Sequence, residues 1–384
     1  MNEDFCKQIS EAIGQKKIVI YGAGFHGAIT LNIMDTLGKE VLFFLDQNHE
    51  KQINGFYGYE VKAPEDILYE DMSKIMVVIA TGTNRDVNEI LTGLGLREGV
   101  EFFHCGTLRN EPCNIIDPFL GYNRLADIDG FKNMGNYNKN NKSIICLGGS
   151  TTDYSLYGIK SWPEFLFKLL EEDGIHLNVL NGGVVGYTSS QELLKLIRDG
   201  LELAPSLVIS YSGVNDLCNN APMIGNKYLY NIWNQMENTI LENRPDYVMT
   251  AGSVSISYGT KTQLDVAEYW YRNEILMCNI CRGFDIPFLG ILQPSIFTKG
   301  TEKHSLYEER MFQMFSLREH ATKQSMKAKQ LVNAGVEKNI VDFTTLFNQC
   351  ENVYVDISHV FEQGNKIIAE AIYKTIKEKK LLDL

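Results

Sequence analysis

Residues 143–152 read SIICLGGSTT, an apolar run that ends in Gly148, Gly149 and Ser150. A continuous apolar stretch of this length fits a strand buried on both faces. Glycines at its end let the backbone turn sharply and let other groups approach closely. Ser150 then stands at the carboxyl edge of a sheet, where open α/β sheets bind ligands. An ordinary strand-to-loop turn reads the same over these few residues, so the decision rests on the surrounding chain.

Downstream of Leu147, strand and helix patterns alternate. Helix SWPEFLFKLLEEDG is followed by strand LNVLNGG, helix SSQELLKLIRDGLELA and strand LVISYSG. A long helix around 262–282, strand PFLGILQP, a helix near 307–334, the stretch NIVDFTTLF and a closing helix from about Gly364 complete the run. The first hundred residues alternate likewise, through KIVIYGAG, a helix closed by Gly38, EVLFFLD and KIMVVIATG. Short apolar runs between helical periods predict parallel sheets, and two such runs predict two α/β domains. At 384 residues the chain also exceeds the roughly 150 residues of a typical domain. The expected organisation is a Rossmann-like domain over 1–106, an Asn- and Gly-rich linker with irregular surface packing over 107–142, and a second domain over 143–384. Insertions at 216–261 and 295–325 follow strands at their carboxyl ends and should overhang the same edge as Ser150. The first offers Tyr228, Tyr230 and Trp233, either as stacking faces for a sugar ring or as ordinary packing.

Composition narrows the function. The chain is 44% hydrophobic and 22% charged, with a formal net charge of −12. That balance argues against nucleic acid or an anionic membrane as partner, which leaves a small-molecule or glycan substrate open. No apolar run approaches the ~20 residues that span a bilayer, and the amino-terminal MNEDFCKQISEAIGQKK is polar, so the expected location is the cytoplasm. The eight cysteines are then read as reduced thiols. Cys278 and Cys281 form a Cys-x-x-Cys without a second pair or a histidine at ligand spacing, which reads as packing rather than a metal site. Oligomeric state is left open, a homo-oligomer included.

Gly22, Gly24 and Gly27 make a Gly-x-Gly-x-x-Gly between a strand and a helix, and Asp46 closes the next strand. Glycines there admit a phosphate to the helix amino terminus, and an acid so placed accepts from ribose hydroxyls. Together with DQNHEKQINGFYGYEV, this stretch resembles the amino-terminal domain of bacterial sugar acetyltransferases of the PglD kind, over roughly residues 16–105. The resemblance implies a nucleotide-linked sugar as ligand. No hexapeptide repeat follows, so the acetyl-CoA chemistry of that family is not implied.

In the second half, GGSTT joins NGGVVGYTS at 181–189, SGVNDL at 212–217 and VDISHVFEQGNKIIAEAI at 355–372. In order and spacing these stretches resemble the sequence blocks of the SGNH (GDSL) hydrolases across 143–380. The resemblance implies a flavodoxin-like α/β/α sandwich. It implies Ser150 as nucleophile, His359 as general base and Asp356 as the acid that holds the imidazole tautomer. An oxyanion hole would be formed by the backbone amides of Ser150 and Gly186 and the side-chain amide of Asn215. No cofactor or metal is required for such a hydrolysis. The usual Gly-Asp-Ser is here Gly148-Gly149-Ser150, and Val360 replaces the proline that often follows the histidine. Asp46/His49 and Asp173/His176 share the Asp-x-x-His spacing, but neither follows a late strand and precedes a closing helix.

The implied activity is a serine esterase acting on an O-acyl, foremost O-acetyl, group of a sugar-containing molecule. An O-acyltransferase would use the same residues. A nicotinamide-dependent oxidoreductase working through the first domain would need a hydride-transfer site that the chain does not display. A non-enzymatic nucleotide-sugar sensor would not need the full set Ser150, Gly186, Asn215, Asp356 and His359. The α/β-hydrolase fold is excluded because no serine has glycines two residues away on both sides.

Overall fold

The computed structural model describes residues 9–80, 85–104, 115–117, 119–124, 126, 128, 130–153, 159–218 and 265–382. The chain divides into two compact units, Met1–Glu111 with Tyr157–Ile159, and Pro112–Leu156 with Lys160–Leu384.

In the first unit, β1 (Lys17–Tyr21), β2 (Val41–Leu45), β3 (Val61–Lys62), β4 (Ile75–Ile79) and β5 (Phe102–His104) form a parallel sheet in the order β3-β2-β1-β4-β5. Side chains alternate between its faces. Val19, Tyr21, Phe43, Leu45, Val77 and Ile79 pack with Ile67, Val87 and Leu91 in one cluster. Their neighbours Ile18, Ile20, Phe44 and Val78 are buried as well, so both faces are covered, as a parallel sheet requires. The edge strands β3 and β5 are too short to show in the apolar pattern. Gly27 sets how closely helix Phe25–Thr36 lies on the end of β1, because a Cβ there would press into the carbonyl of Gly22.

The second unit is built on a sheet ordered β13-β12-β11-β9-β10-β8. Its strands are β8 (Lys132–Asn133), β9 (Ser143–Gly148), β10 (Asn178–Asn181), β11 (Leu207–Ser212), β12 (Phe288–Leu292) and β13 (Ile340–Asp342). All pair in parallel except the edge strand β8, which runs antiparallel to β10. Ile144 and Cys146 of β9 face Trp162, Leu166, Ile368 and Ile372, from helices Trp162–Glu172 and Glu362–Lys379. Ile145 and Leu147 face Leu196, Met277 and Cys281 on the other side, where helices Ser189–Lys195 and Val266–Gly283 lie. Each such fully buried aliphatic side chain contributes about 1.5–3 kcal/mol. The result is an α/β/α sandwich whose strand order reverses between β9 and β11, the position at which doubly wound sheets open a crevice.

Of the stretch between the two sheets in the chain, the described residues from 115 on belong to the second unit. β6 (Ile115–Asp117) and β7 (Gly121–Asn123) form a hairpin. Leu120 and Tyr122 are buried against Val184 and Tyr187, and Phe131 joins the core beneath Ile145. These apolar residues are spaced without a helical or strand period, which is why the sequence shows no element here. The helix read from 189 to 204 is α-helical to Lys195, widens into a π turn over Leu196–Gly200 and ends in a 3-10 turn at Leu203. The insertion at 295–325 carries helix Leu306–Met314 and the start of helix Arg318–Ala334. Most of the insertion at 216–261 lies outside the described residues. Among the described residues no helix is long and apolar enough to cross a membrane.

Candidate active site

The turn that presents Ser150 is shaped by backbone meeting backbone. A Cβ on Gly148 would lie 2.7 Å from the Tyr211 carbonyl oxygen, and one on Gly183 would lie 2.5 Å from the amide nitrogen of Asp153. The Gly149 carbonyl accepts from the amides of Thr152 and Asp153 at 3.1 Å each. Asn181 ties the turn to the end of β10: its Nδ2 donates to the Thr152 carbonyl at 2.7 Å and its Oδ1 accepts from Gly183 at 2.9 Å. Arg124 reaches in from the segment after β7 to pair with Asp153 at 2.8 Å, both side chains buried. Sequence reasoning missed Asn181 and Arg124. The Asn-Gly-Gly at 181–183 was the one available signal for the former.

His359 arrives on the loop before the closing helix. Val355 donates its amide to the His359 carbonyl at 2.7 Å, and Phe361 donates to Val353 at 3.0 Å, which closes the loop. Asp356 sits in the bend, its Oδ1 accepting from the amides of Ser358 and His359 at 2.8 Å each. Its Oδ2 faces His359 Nδ1 at 2.6 Å, and His359 Nε2 faces Ser150 Oγ at 2.8 Å. With Nδ1–H donating to the carboxylate, Nε2 is the acceptor for the serine hydroxyl. Burial alone would raise the Asp356 carboxyl, but the adjoining imidazole and the loop amides outweigh it and hold the group below its ordinary value. Asp356 is therefore ionised at neutral pH.

Two further loops flank Ser150. Gly186 turns with φ 79, a conformation natural to glycine. Asn215 lies in the short helix Val214–Leu217, which Gly213 joins to β11, and its Nδ2 donates to the Tyr187 carbonyl at 2.8 Å. An amide nitrogen has two hydrogens, so the second is left for another acceptor. A Cβ on Gly149 would come 2.5 Å from this Nδ2. The glycine that replaces the usual aspartate is the space into which the Asn215 amide leans.

Within the second unit, Asp173 and His176 take no part in this row. His176 is exposed beside Glu171, and Asp173 binds Tyr373 and Lys377. His49 is exposed and meets Gln52. Tyr228, Tyr230 and Trp233 are outside the described residues. Cys278 and Cys281 are free, and burial pushes both thiols up to about 12. In the first unit, Gly24 caps helix Phe25–Thr36 without a side-chain bond. Asp46 holds the glycine loop itself: Oδ2 accepts from the Ala23 amide at 2.9 Å and from Lys51 Nζ at 2.8 Å, and Oδ1 accepts from Asn48 at 2.9 Å. Lys51, which the sequence pattern did not single out, stands 4.0 Å from where a Gly24 Cβ would be.

Residues 17–93 match the family model of the PglD N-terminal domain. Among solved structures, the chain is similar to an acetyl xylan esterase, at 14% identity over 61% of this chain and 99% of that one, with a TM-score of 0.37. It is similar to a GDSL-like lipase from Bacteroides thetaiotaomicron at 14% identity, over 64% and 92% of the two chains, with a TM-score of 0.36. An acetylxylan esterase from Geobacillus stearothermophilus aligns at 15% identity over 61% and 94%, with a TM-score of 0.35. Among curated proteins, none matches the chain.

Buried carboxyls lie on the face of β11 covered by helices Ser189–Lys195 and Val266–Gly283. Ser212 Oγ reaches Glu192 at 2.9 Å, while Ser210 Oγ is 3.2 Å from Glu192 and 2.9 Å from Glu274. Ser210 has a single hydroxyl hydrogen, so one of its two carboxyl contacts must be donated by a protonated acid. Burial accounts for that proton: it pushes Glu192 from 4.5 up to about 8, aided by the charge of Asp216 and opposed by the serine hydroxyls, and it raises Glu274 as well. A raised native value means the folded chain holds the proton more tightly than the unfolded one. The contribution of Glu192 to stability therefore falls as pH rises from about 4.5 to about 8 and is lost above. Glu192→Gln cannot ionise and still offers Ser212 an acceptor. Thermal unfolding should give this variant a flatter pH profile, its Tm advantage growing across that window, and parallel profiles would contradict the assignment.

Proposed function

We propose that this protein is a serine esterase that removes an O-acyl group, O-acetyl in the first instance, from a sugar-containing substrate. The observation that carries the reading is the hydrogen-bonded row Ser150–His359–Asp356, set between the Gly186 and Asn215 loops at the switch point of the sheet. Ser150 Oγ attacks the acyl carbonyl while its proton passes to His359 Nε2. The oxyanion that forms is met by the amides of Ser150 and Gly186 and by the second Nδ2 hydrogen of Asn215. Collapse breaks the ester bond, and His359 returns the proton to the departing sugar oxygen. Water, deprotonated by the same imidazole, then releases the acyl group from Ser150. A sugar hydroxyl in place of that water would make the same residues an O-acyltransferase. Acetate release from a panel of acetylated sugars and nucleotide-sugars tests the reading. Asn215→Ala should lower kcat by about 100-fold to 1,000-fold with little change in KM, roughly 3 kcal/mol of transition-state binding. An unchanged kcat would remove Asn215 from the site, and transfer to an added sugar without free acetate would favour the transferase.

For the first unit we propose a nucleotide-linked sugar as ligand. Support comes from the match of residues 17–93 and from the uncapped helix start at Gly24 with Lys51 beside it. Amides and a cation so arranged suit a diphosphate. In a thermal-shift screen, one or more nucleotide-sugars at a hundredfold excess over Kd should stabilise the protein by about 2.7 kcal/mol. Gly24→Val should abolish the shift. A shift with NAD and none with nucleotide-sugars would give the unit to a redox cofactor.

A further inference from the structure

Asp216 directly follows Asn215 and is buried. Its Oδ1 accepts from Ser189 Oγ at 2.7 Å and its Oδ2 from the Ser189 amide at 3.0 Å. Ser189 Oγ in turn accepts from Asn273 Nδ2, 2.8 Å away on helix Val266–Gly283. Meanwhile Asn215 Nδ2 donates to the Tyr187 carbonyl. The loop that starts at Gly186 is thus fastened at Tyr187 and again at Ser189, both times to the dipeptide Asn215-Asp216. The second fastening involves no group that could touch a substrate.

We propose that Asp216 is a positioning residue of the oxyanion site: by clamping Ser189 it fixes the Gly186 loop relative to Asn215, and so sets the separation of two oxyanion donors. This rests on the esterase reading. The clamp needs an ionised carboxylate, since only then can both oxygens accept at full strength. Burial pushes Asp216 up to about 6, and the two bonds from Ser189 oppose that rise by favouring the carboxylate. Asn at this position would turn an NH2 group toward one of the two Ser189 donors, and the loop would lose one fastening.

The test is hydrolysis of p-nitrophenyl acetate by the full chain, with kcat normalised to the active sites titrated by a fluorophosphonate. Asp216→Asn should lower kcat by about tenfold to a hundredfold and leave KM within about twofold, as expected when only transition-state contacts are lost. Ser189→Ala, which keeps the amide bond to Asp216, should give a smaller loss of the same kind. In an Asn215→Ala background both substitutions should cost much less, because the donor they help to place is already gone. Should Asp216→Asn fail to fold, the Ser189→Ala and Asn215→Ala cycle carries the test alone. Equal losses in both backgrounds, or an unchanged kcat, would overturn the proposal while leaving the esterase reading intact. An inactive parent chain would overturn both.

Discussion

At the carboxyl end of β9 the backbone passes so close to its neighbours that side chains have no room. Gly148 lies under the carbonyl of Tyr211 from β11, and Gly183 of the β10 loop lies against the amide of Asp153. These approaches bring the ends of adjacent strands together around Ser150, on either side of the point where the strand order reverses. Gly149 extends the same constraint to chemistry, because its missing side chain is the volume that the Asn215 amide enters. A larger residue at any of these positions would move Ser150, the Gly186 loop or Asn215 relative to the others.

The histidine loop is held from a different direction. Ile296 donates its amide to Ile357 at 3.0 Å, and Tyr307 donates its hydroxyl to Val355 at 2.6 Å, so the 295–325 insertion braces the residues on both sides of Asp356. Within it, Lys299 pairs with Glu308 at 2.7 Å, both fully buried, and Glu308 also accepts from the Val353 amide at 3.2 Å. Removing one partner of such a pair typically costs about 3–5 kcal/mol, because the other charge is left uncompensated. The insertion is therefore a support for the Asp356–His359 bend.

The sequence disclosed the parts of this arrangement that follow from periodicity and from motif residues. Runs such as SIICLG and LVISYS read as strands because both sheet faces are covered, and Ser150, Gly186 and Asn215 stand out just past strands, Asp356 and His359 ahead of the closing helix. It did not disclose what depends on contacts between distant residues. Arg124 and Tyr122 sit in a stretch with no pattern, yet one pairs with Asp153 and the other donates to the Val185 carbonyl at 2.9 Å. Lys51 is an ordinary charged residue of a short helix until the fold brings it to the glycine loop. The motif also does not show that the Asp46 carboxylate binds Ala23, Asn48 and Lys51 and so holds the glycine loop. The buried Glu192 and Glu274 had no sequence signal at all, since their place in the interior follows from Ser210 and Ser212 on the facing strand.

Everything proposed for the second unit requires that Ser150 be a nucleophile activated by His359. Treating the full chain with a fluorophosphonate and reading the intact mass, followed by peptide mapping, tests it most directly. One equivalent of label is expected on Ser150, none in Ser150→Ala, and greatly slowed labelling in His359→Gln. Label on another residue, or label that persists in Ser150→Ala, would contradict it.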